Sequence, residues 1–310
     1  MAKRTLFLTG ATGTVGSGIL EVLSETGEFN VTCLIRDQQK GAQVEALGAK
    51  VVIGDMSDEV LFERLRGRGS YDFIIHAAQA HYERYSANEI HELEARAVRN
   101  LESLRDGVTQ LMIFTGGVWS CGTGSHGQPI TETTPPRPFK GSEARVELWR
   151  ELENRRDFPW AQLCLPSMVY GSVGPLISIA NTFRSGATID VLDEEVKWSV
   201  IERLDLGQAY LALLRYGKAG DRYLVAEDDP VSVVTFYETI GAMVGSGTVV
   251  LKPLVELSAS MTADVLERKR TSQPVDSSRF KRATGWRAEE KFATSVKTLL
   301  AWNGGLSGRL

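Results

Sequence analysis

Thr9-Gly10-Ala11-Thr12-Gly13-Thr14-Val15-Gly16 is the stretch on which the fold turns. It follows an apolar run, Thr5 to Thr9, and leads into a helical pattern over Gly18 to Thr26. Glycines at 10, 13 and 16 permit a tight turn and close backbone approach to a pyrophosphate, whose charge a helix N-terminus favours. The competing reading of such a loop is a plain strand-to-helix turn. The flanking strand and helix point to dinucleotide binding.

Working outward, the first half of the chain alternates short apolar runs with amphipathic segments. Strand candidates follow at Val31 to Ile35, Lys50 to Ile53, Phe73 to His76, Leu111 to Thr115 and Ala161 to Leu165. Glu89 to Leu104 has helix-favouring composition. This rhythm predicts an α/β fold, a doubly wound parallel sheet with helices on both faces. Past Pro166 the pattern loosens, with strand candidates at Ile189 to Leu192 and Asp221 to Ala226 and helices at Asp205 to Leu214 and Val234 to Val244. The expected organisation is a nucleotide-binding core over 1–165 and a smaller substrate lobe over 166–303, some of whose segments return to the core. Residues 304–310 read as a frayed tail. The Gly-, Pro-, Ser- and Thr-rich stretch Thr123 to Lys140 reads as a loop near the sheet's carboxyl edge.

Composition narrows the function classes. Of 310 residues, 43% are hydrophobic and 24% charged, which sets aside disordered and low-complexity chains. A net charge of -4 gives no global attraction to a polyphosphate, so nucleic acid is not the expected partner. Cys33, Cys121 and Cys164 are odd in number and far apart, which argues against a disulfide framework and fits a reducing cytosol. The apolar run after Met1-Ala2-Lys3-Arg4 is too short for a signal peptide, and no stretch approaches the roughly 20 residues that cross a bilayer. A soluble, cytoplasmic protein with a small-molecule substrate is expected, and a homodimer stays open.

With Gly10, Gly13 and Gly16 in this setting, the chain resembles the extended, epimerase/dehydratase-like branch of the short-chain dehydrogenase/reductase superfamily, whose core is a Rossmann fold. Asp55-Met56 looks like the family's pair beside adenine, and Asp72-Phe73-Ile74-Ile75-His76-Ala77-Ala78 like its fourth strand. Leu165-Pro166-Ser167-Met168-Val169-Tyr170-Gly171 is similar to the Arg-Pro-x-x-Val-Tyr-Gly segment, with leucine for arginine. Asp276-Ser277-Ser278-Arg279-Phe280-Lys281 and Thr284-Gly285-Trp286 resemble the branch's C-terminal helix and turn. The resemblance implies a cofactor site of Gly10, Thr12, Gly13, Thr14, Val15, Gly16, Arg36, Asp55, Met56, Ala77, Ala78, Pro166 and Met168. Arg36 stands after the second strand, where an acidic residue would take the ribose of NAD and an arginine a 2′-phosphate. NADP(H) is therefore preferred, with NAD(H) the alternative; the competing role for Arg36 is a surface pair with Asp37. His76 reads as a hydrogen-bonded core histidine.

The family's usual catalytic residues are missing. Gly117, within Phe114-Thr115-Gly116-Gly117-Val118-Trp119-Ser120-Cys121-Gly122, stands at the serine position. In Phe139-Lys140-Gly141-Ser142-Glu143-Ala144-Arg145-Val146-Glu147, Phe139 takes the tyrosine's place and Glu143 the lysine's, while Glu94 falls at the asparagine. Thr115, Lys140 and Glu143 are the substitute catalytic candidates, against a strand residue and a solvated surface pair. His81 and His126 fall in loops near the ligand edge, where Trp119, Phe139 and Trp198 could furnish an apolar or aromatic substrate pocket. His76 and His81 form no convincing ligand set, so no metal is expected. Three functions follow: an NADP(H)-dependent reductase or dehydrogenase with a non-standard proton donor; a non-redox isomerase, lyase or cyclase with structural NADP; or a catalytically silent NADP sensor or scaffold.

Overall fold

A computed structural model of the protein describes residues 2–67, 69–80, 85–123, 128–140, 142–155, 157–192 and 194–303. The first half runs β1 (Arg4–Thr9), α1 (Thr14–Thr26), β2 (Phe29–Ile35), α2 (Gly41–Ala46), β3 (Lys50–Ile53), α3 (Glu59–Arg66), β4 (Phe73–His76), α4 (Ala87–Ser103), β5 (Leu111–Gly117), α5 (Glu143–Asn154) and β6 (Trp160–Leu165). Each strand candidate of this half is present, extended by one or two residues at most. The second half runs β7 (Met168–Tyr170), α6 (Pro175–Arg184), β8 (Thr188–Leu192), β9 (Lys197–Trp198), β10 (Val200–Glu202), α7 (Arg203–Tyr216), β11 (Arg222–Leu224), β12 (Val231–Ser232), α8 (Val233–Val244), β13 (Thr248–Lys252), α9 (Leu254–Ser260), α10 (Ala263–Lys269), α11 (Ser278–Thr284) and α12 (Phe292–Asn303). Among the described residues no helix is long and apolar enough to cross a membrane.

One seven-stranded sheet, in the order β11-β6-β5-β4-β1-β2-β3, is parallel throughout. The strand order reverses between β1 and β4, so the loops after those two strands diverge and leave a crevice at the carboxyl edge. Strands buried on both faces need apolar side chains on both, which is why β1 reads Leu6-Phe7-Leu8 without alternation. Leu6 and Leu8 enter the core beneath α1 and α7, whereas Phe7 enters the one beneath α3, α4 and α5. The seventh strand, β11, comes from the loosely patterned half, as does α7, which packs along α1.

A third apolar cluster, including Tyr170, Phe183, Phe236 and Phe292, builds the lobe beyond the sheet. Buried carboxylates tie that lobe to α7. Glu202 caps α7 by accepting the Leu204 and Asp205 amides. The Asp205 carboxylate accepts the amides of Glu289 (3.0 Å) and Glu290 (2.8 Å), and Glu227 accepts the Tyr170 hydroxyl at 2.6 Å and the Phe292 amide at 2.9 Å. Burial pushes the carboxyls of Glu202 and Glu227 up to about 7.

Candidate functional site

The chain leaves β1 and turns at Gly10 with φ 78°, a left-handed conformation that favours glycine. A Cβ at Gly10 would stand 2.7 Å from the Ala78 amide nitrogen, and one at Gly16 only 2.1 Å from the Gly10 carbonyl oxygen. Two bare backbones are thus required for the loop to close on itself and on the segment after β4. Gly13 donates its amide to the Gly10 carbonyl at 3.0 Å and becomes the N-cap of α1, with no side-chain cap and no acidic residue in the first turn. The exposed amide end of α1 is left to attract an anion.

A cleft of about 430 Å³ opens over this loop. Gly10, Thr12 and Gly13 line it directly, together with Arg36, Lys40, Asp55, Met56, Ala77 and Ala78. Thr14, Val15 and Gly16 build the loop: Thr14 lies beneath the Gly174 backbone, Val15 packs against the core, and Gly16 presses on Gly10. Asp55 spends its carboxylate on the amide (2.9 Å) and hydroxyl (2.7 Å) of Ser57, which shapes the turn after β3. Asp37 accepts the Gln39 amide at 2.9 Å, and among the described residues no carboxylate lies within ion-pair distance of Arg36 or Lys40. Pro166 is buried between β6 and β7 and Met168 is half-buried among the lobe's apolar side chains; neither lines this cleft.

Beneath the wall Ala77–Ala80 lies a polar cluster that the sequence reading did not assemble. His76 is fully buried, its Nδ1 2.9 Å from the Thr9 hydroxyl and its Nε2 3.6 Å from Glu94. Burial lowers its pKa, so the ring is neutral and the Nε2–H tautomer suits the facing carboxylate. Glu94 accepts the Ala80 amide at 2.6 Å and lies 3.3 Å from Arg145, which donates to the Ala78 carbonyl at 3.0 Å. Burial opposes ionisation of Glu94, but Arg145, His76 and the Ala80 amide together hold its carboxyl at about 2. The guanidinium also sits 4.7 Å over the Phe114 ring.

The three catalytic candidates do not converge. The Thr115 hydroxyl is buried 2.6 Å from that of Tyr210, within the core. Lys140 is exposed and pairs with Asp264 at 2.7 Å; that hydrogen bond raises its pKa. Glu143 opens α5 in a groove with Asn88, His91, Glu92 and Glu147, apart from the cleft. The aromatic trio does meet: Trp119 lies edge-on to Phe139 at 5.3 Å and to Trp198 at 6.1 Å, and its indole donates to the Ser167 carbonyl at 3.1 Å. Phe139 also lines a second cavity of about 540 Å³ between Arg137–Phe139 and α10. His81 and His126 lie outside the described residues. Lys40, Tyr85 and Arg145 are additions; the last was visible as a cation on the buried stripe shared with Leu148, Trp149 and Leu152.

The model of the NAD dependent epimerase/dehydratase family matches residues 6–145, the span from β1 to the start of α5 that contains the loop, the cleft and the cluster beneath it. Over those residues, somewhat less than half of the chain, the sequence is similar to that family. An uncharacterised protein of Schizosaccharomyces pombe is 26% identical over 249 residues, covering 77% of this chain and 79% of its own. The 4-hydroxy-2-methyl-3-oxo-4-farnesyl-3,4-dihydroquinoline-1-oxide ketoreductase of Stigmatella aurantiaca is 29% identical over 241 residues, 74% of this chain and 70% of that one. Among solved structures, the UDP-glucose 4-epimerase of Bifidobacterium longum, in complex with NAD+ and UDP, superposes with a TM-score of 0.77 at 17% identity, covering 97% of this chain and 98% of the other. That likeness is one of fold.

Proposed function

We propose that the chain is an NADP(H)-dependent reductase or dehydrogenase acting on a small carbonyl or alcohol. The observation that carries this reading is one continuous cleft lined by the bare glycine loop and by two cations, Arg36 and Lys40, for which no carboxylate among the described residues lies within ion-pair distance. The residues fit such a group: the α1 amides would hold the pyrophosphate, Arg36 and Lys40 the 2′-phosphate, and Asp55, Met56 and Ala77 the adenosine half. When bound, a nicotinamide dinucleotide supplies hydride chemistry. The Stigmatella relative, a ketoreductase, supports carbonyl reduction, and the NAD+ complex of the Bifidobacterium enzyme supports a dinucleotide on this fold. Trp119, Phe139 and Trp198 present a large aromatic surface to an apolar or aromatic substrate.

The second reading is non-redox chemistry on the same fold with a structural dinucleotide. It is favoured by one observation: Thr115, Lys140 and Glu143 all lie away from the cleft, and Tyr85 is the tyrosine that lines it among the described residues. Mass spectrometry of the ligand that copurifies, followed by a carbonyl panel monitored at 340 nm, separates the two. Oxidation of NADPH coupled to loss of the carbonyl is the expected result. Substrate conversion at constant absorbance would replace the first reading by the second, and retention of NADP without any conversion would leave a sensor.

A further inference from the structure

Four side chains from four elements close a ring around one stretch of backbone. Thr9 of β1 accepts the Ala78 amide at 3.2 Å and contacts His76 at the end of β4 at 2.9 Å. Across the imidazole stands Glu94 of α4 at 3.6 Å, then Arg145 of α5 at 3.3 Å, whose same terminal nitrogen returns to the Ala78 carbonyl at 3.0 Å. The second oxygen of Glu94 takes the Ala80 amide at 2.6 Å. Both polar groups of Ala78 and the amide of Ala80 are thereby held.

That stretch is the cleft wall on which Gly10 rests, with no room for a methyl between them. His76, Glu94 and Arg145 do not themselves line the cleft. Removing two charges from water is costly, and an apolar pair of similar volume would serve packing as well or better. An ion pair with side-chain exposures of 9% and 0% is therefore weak evidence for stability and stronger evidence for a geometry that only directional, charged partners impose.

We propose that Glu94 and Arg145 are positioning residues for dinucleotide binding: acting through the backbone of Ala78 and Ala80, they set the cleft wall against the Gly10 loop. This rests on the cleft being the cofactor site. The test uses the full chain and two variants, Glu94→Gln, which keeps an acceptor for the Ala80 amide, and Arg145→Lys, which keeps the buried charge but shortens the reach of the single terminal nitrogen that meets both Glu94 and the Ala78 carbonyl. NADPH affinity is measured by calorimetry on folded protein, and hydrogen exchange is followed in peptides covering 77–80 and, for reference, β1.

The expected result is affinity about twofold to thirtyfold weaker, with faster exchange at 77–80 and unchanged exchange in β1. Arg145→Lys alone decides the matter should Glu94→Gln fail to fold. A purely structural role would lower the melting temperature and leave the affinity of the folded variants at the parent value, which overturns the proposal. An unaltered chain that binds neither NADPH nor NADH would instead overturn the cofactor reading, and this inference with it.

Discussion

A single methyl group placed at two positions of the glycine loop should have opposite consequences. In Gly16→Ala the new Cβ would lie 2.1 Å from the Gly10 carbonyl oxygen and 2.5 Å from its carbon, so the loop must move by roughly 1 Å to reach van der Waals separation. Gly10 has nowhere to go, because the Ala77–Ala78 backbone stands behind it and is itself bonded to Thr9 and Arg145. Overpacking of this kind costs about 1–3 kcal/mol. At about 2–4 °C per kcal/mol, melting should fall by several degrees. In Gly13→Ala, φ -93° and ψ 170° are open to any L-residue, and the one atom within 4 Å is the Gly10 oxygen at 3.4 Å. Stability should then change by less than about 1 kcal/mol, the difference between glycine and alanine at an N-cap. That methyl would nevertheless stand in the cleft at the bare end of α1, and NADPH affinity should drop. Thermal unfolding and calorimetry on both variants separate the effects. Equal destabilisation by the two substitutions, or parent-like melting and affinity in Gly16→Ala, would refute the packing argument.

Three further outcomes are expected. Glu202 and Glu227 hold protons in the folded chain up to about pH 7, whereas the unfolded carboxyls release theirs near 4.5, so the stability they contribute is present below about pH 4.5 and declines as pH rises to about 7. Glu227→Gln should therefore gain on the parent protein between pH 5 and pH 8, on the order of 1–3 kcal/mol in urea unfolding; a pH-independent difference would contradict this. Thr115→Val should cost about 1–3 kcal/mol by stranding the Tyr210 hydroxyl, with turnover per folded molecule unchanged, and a selective loss of turnover would return Thr115 to the catalytic set. Glu143→Gln should leave NADPH affinity at the parent value in calorimetry, since Glu143 lies in the α4–α5 groove; a weakened complex would place it at the cleft.

The elements that the sequence made legible are those where one physical constraint dominates. Strands buried on both faces must be apolar, so β1, β4 and β5 stood out, while the half-exposed edge strand β3 was placed by the alternation of strands and helices; the glycine loop announced itself because side chains are excluded there. The short strands β7, β10 and β13 carry no such mark, because their partners β10, β7 and β8 are set by tertiary packing. Around the cleft, Arg36 was readable from its place after β2, and Ala77–Ala78 from the resemblance of the stretch ending β4 to the family's fourth strand; both line the cleft. Thr115 was not, since the face a strand residue presents depends on register: its hydroxyl points to Tyr210 of α7, 95 residues away. The Glu94–Arg145 pair combines an α4 position with an α5 position, and its partner on each helix follows from packing alone. The aromatic trio lies on segments far apart in sequence, yet its members share the carboxyl edge, which the topology does predict.

The most direct measurement is calorimetric titration of the protein and of its Arg36→Asp variant with NADPH and NADH under identical salt. If the cleft takes NADP(H) as proposed, the exposed cations Arg36 and Lys40 would together be worth about 1–2 kcal/mol to a 2′-phosphate, so the unaltered chain should bind NADPH about fivefold to thirtyfold more tightly than NADH. Arg36→Asp should abolish or reverse that preference while leaving NADH affinity nearly intact. Equal affinities for both dinucleotides, unmoved by the substitution, would contradict the assignment of the cleft to NADP(H).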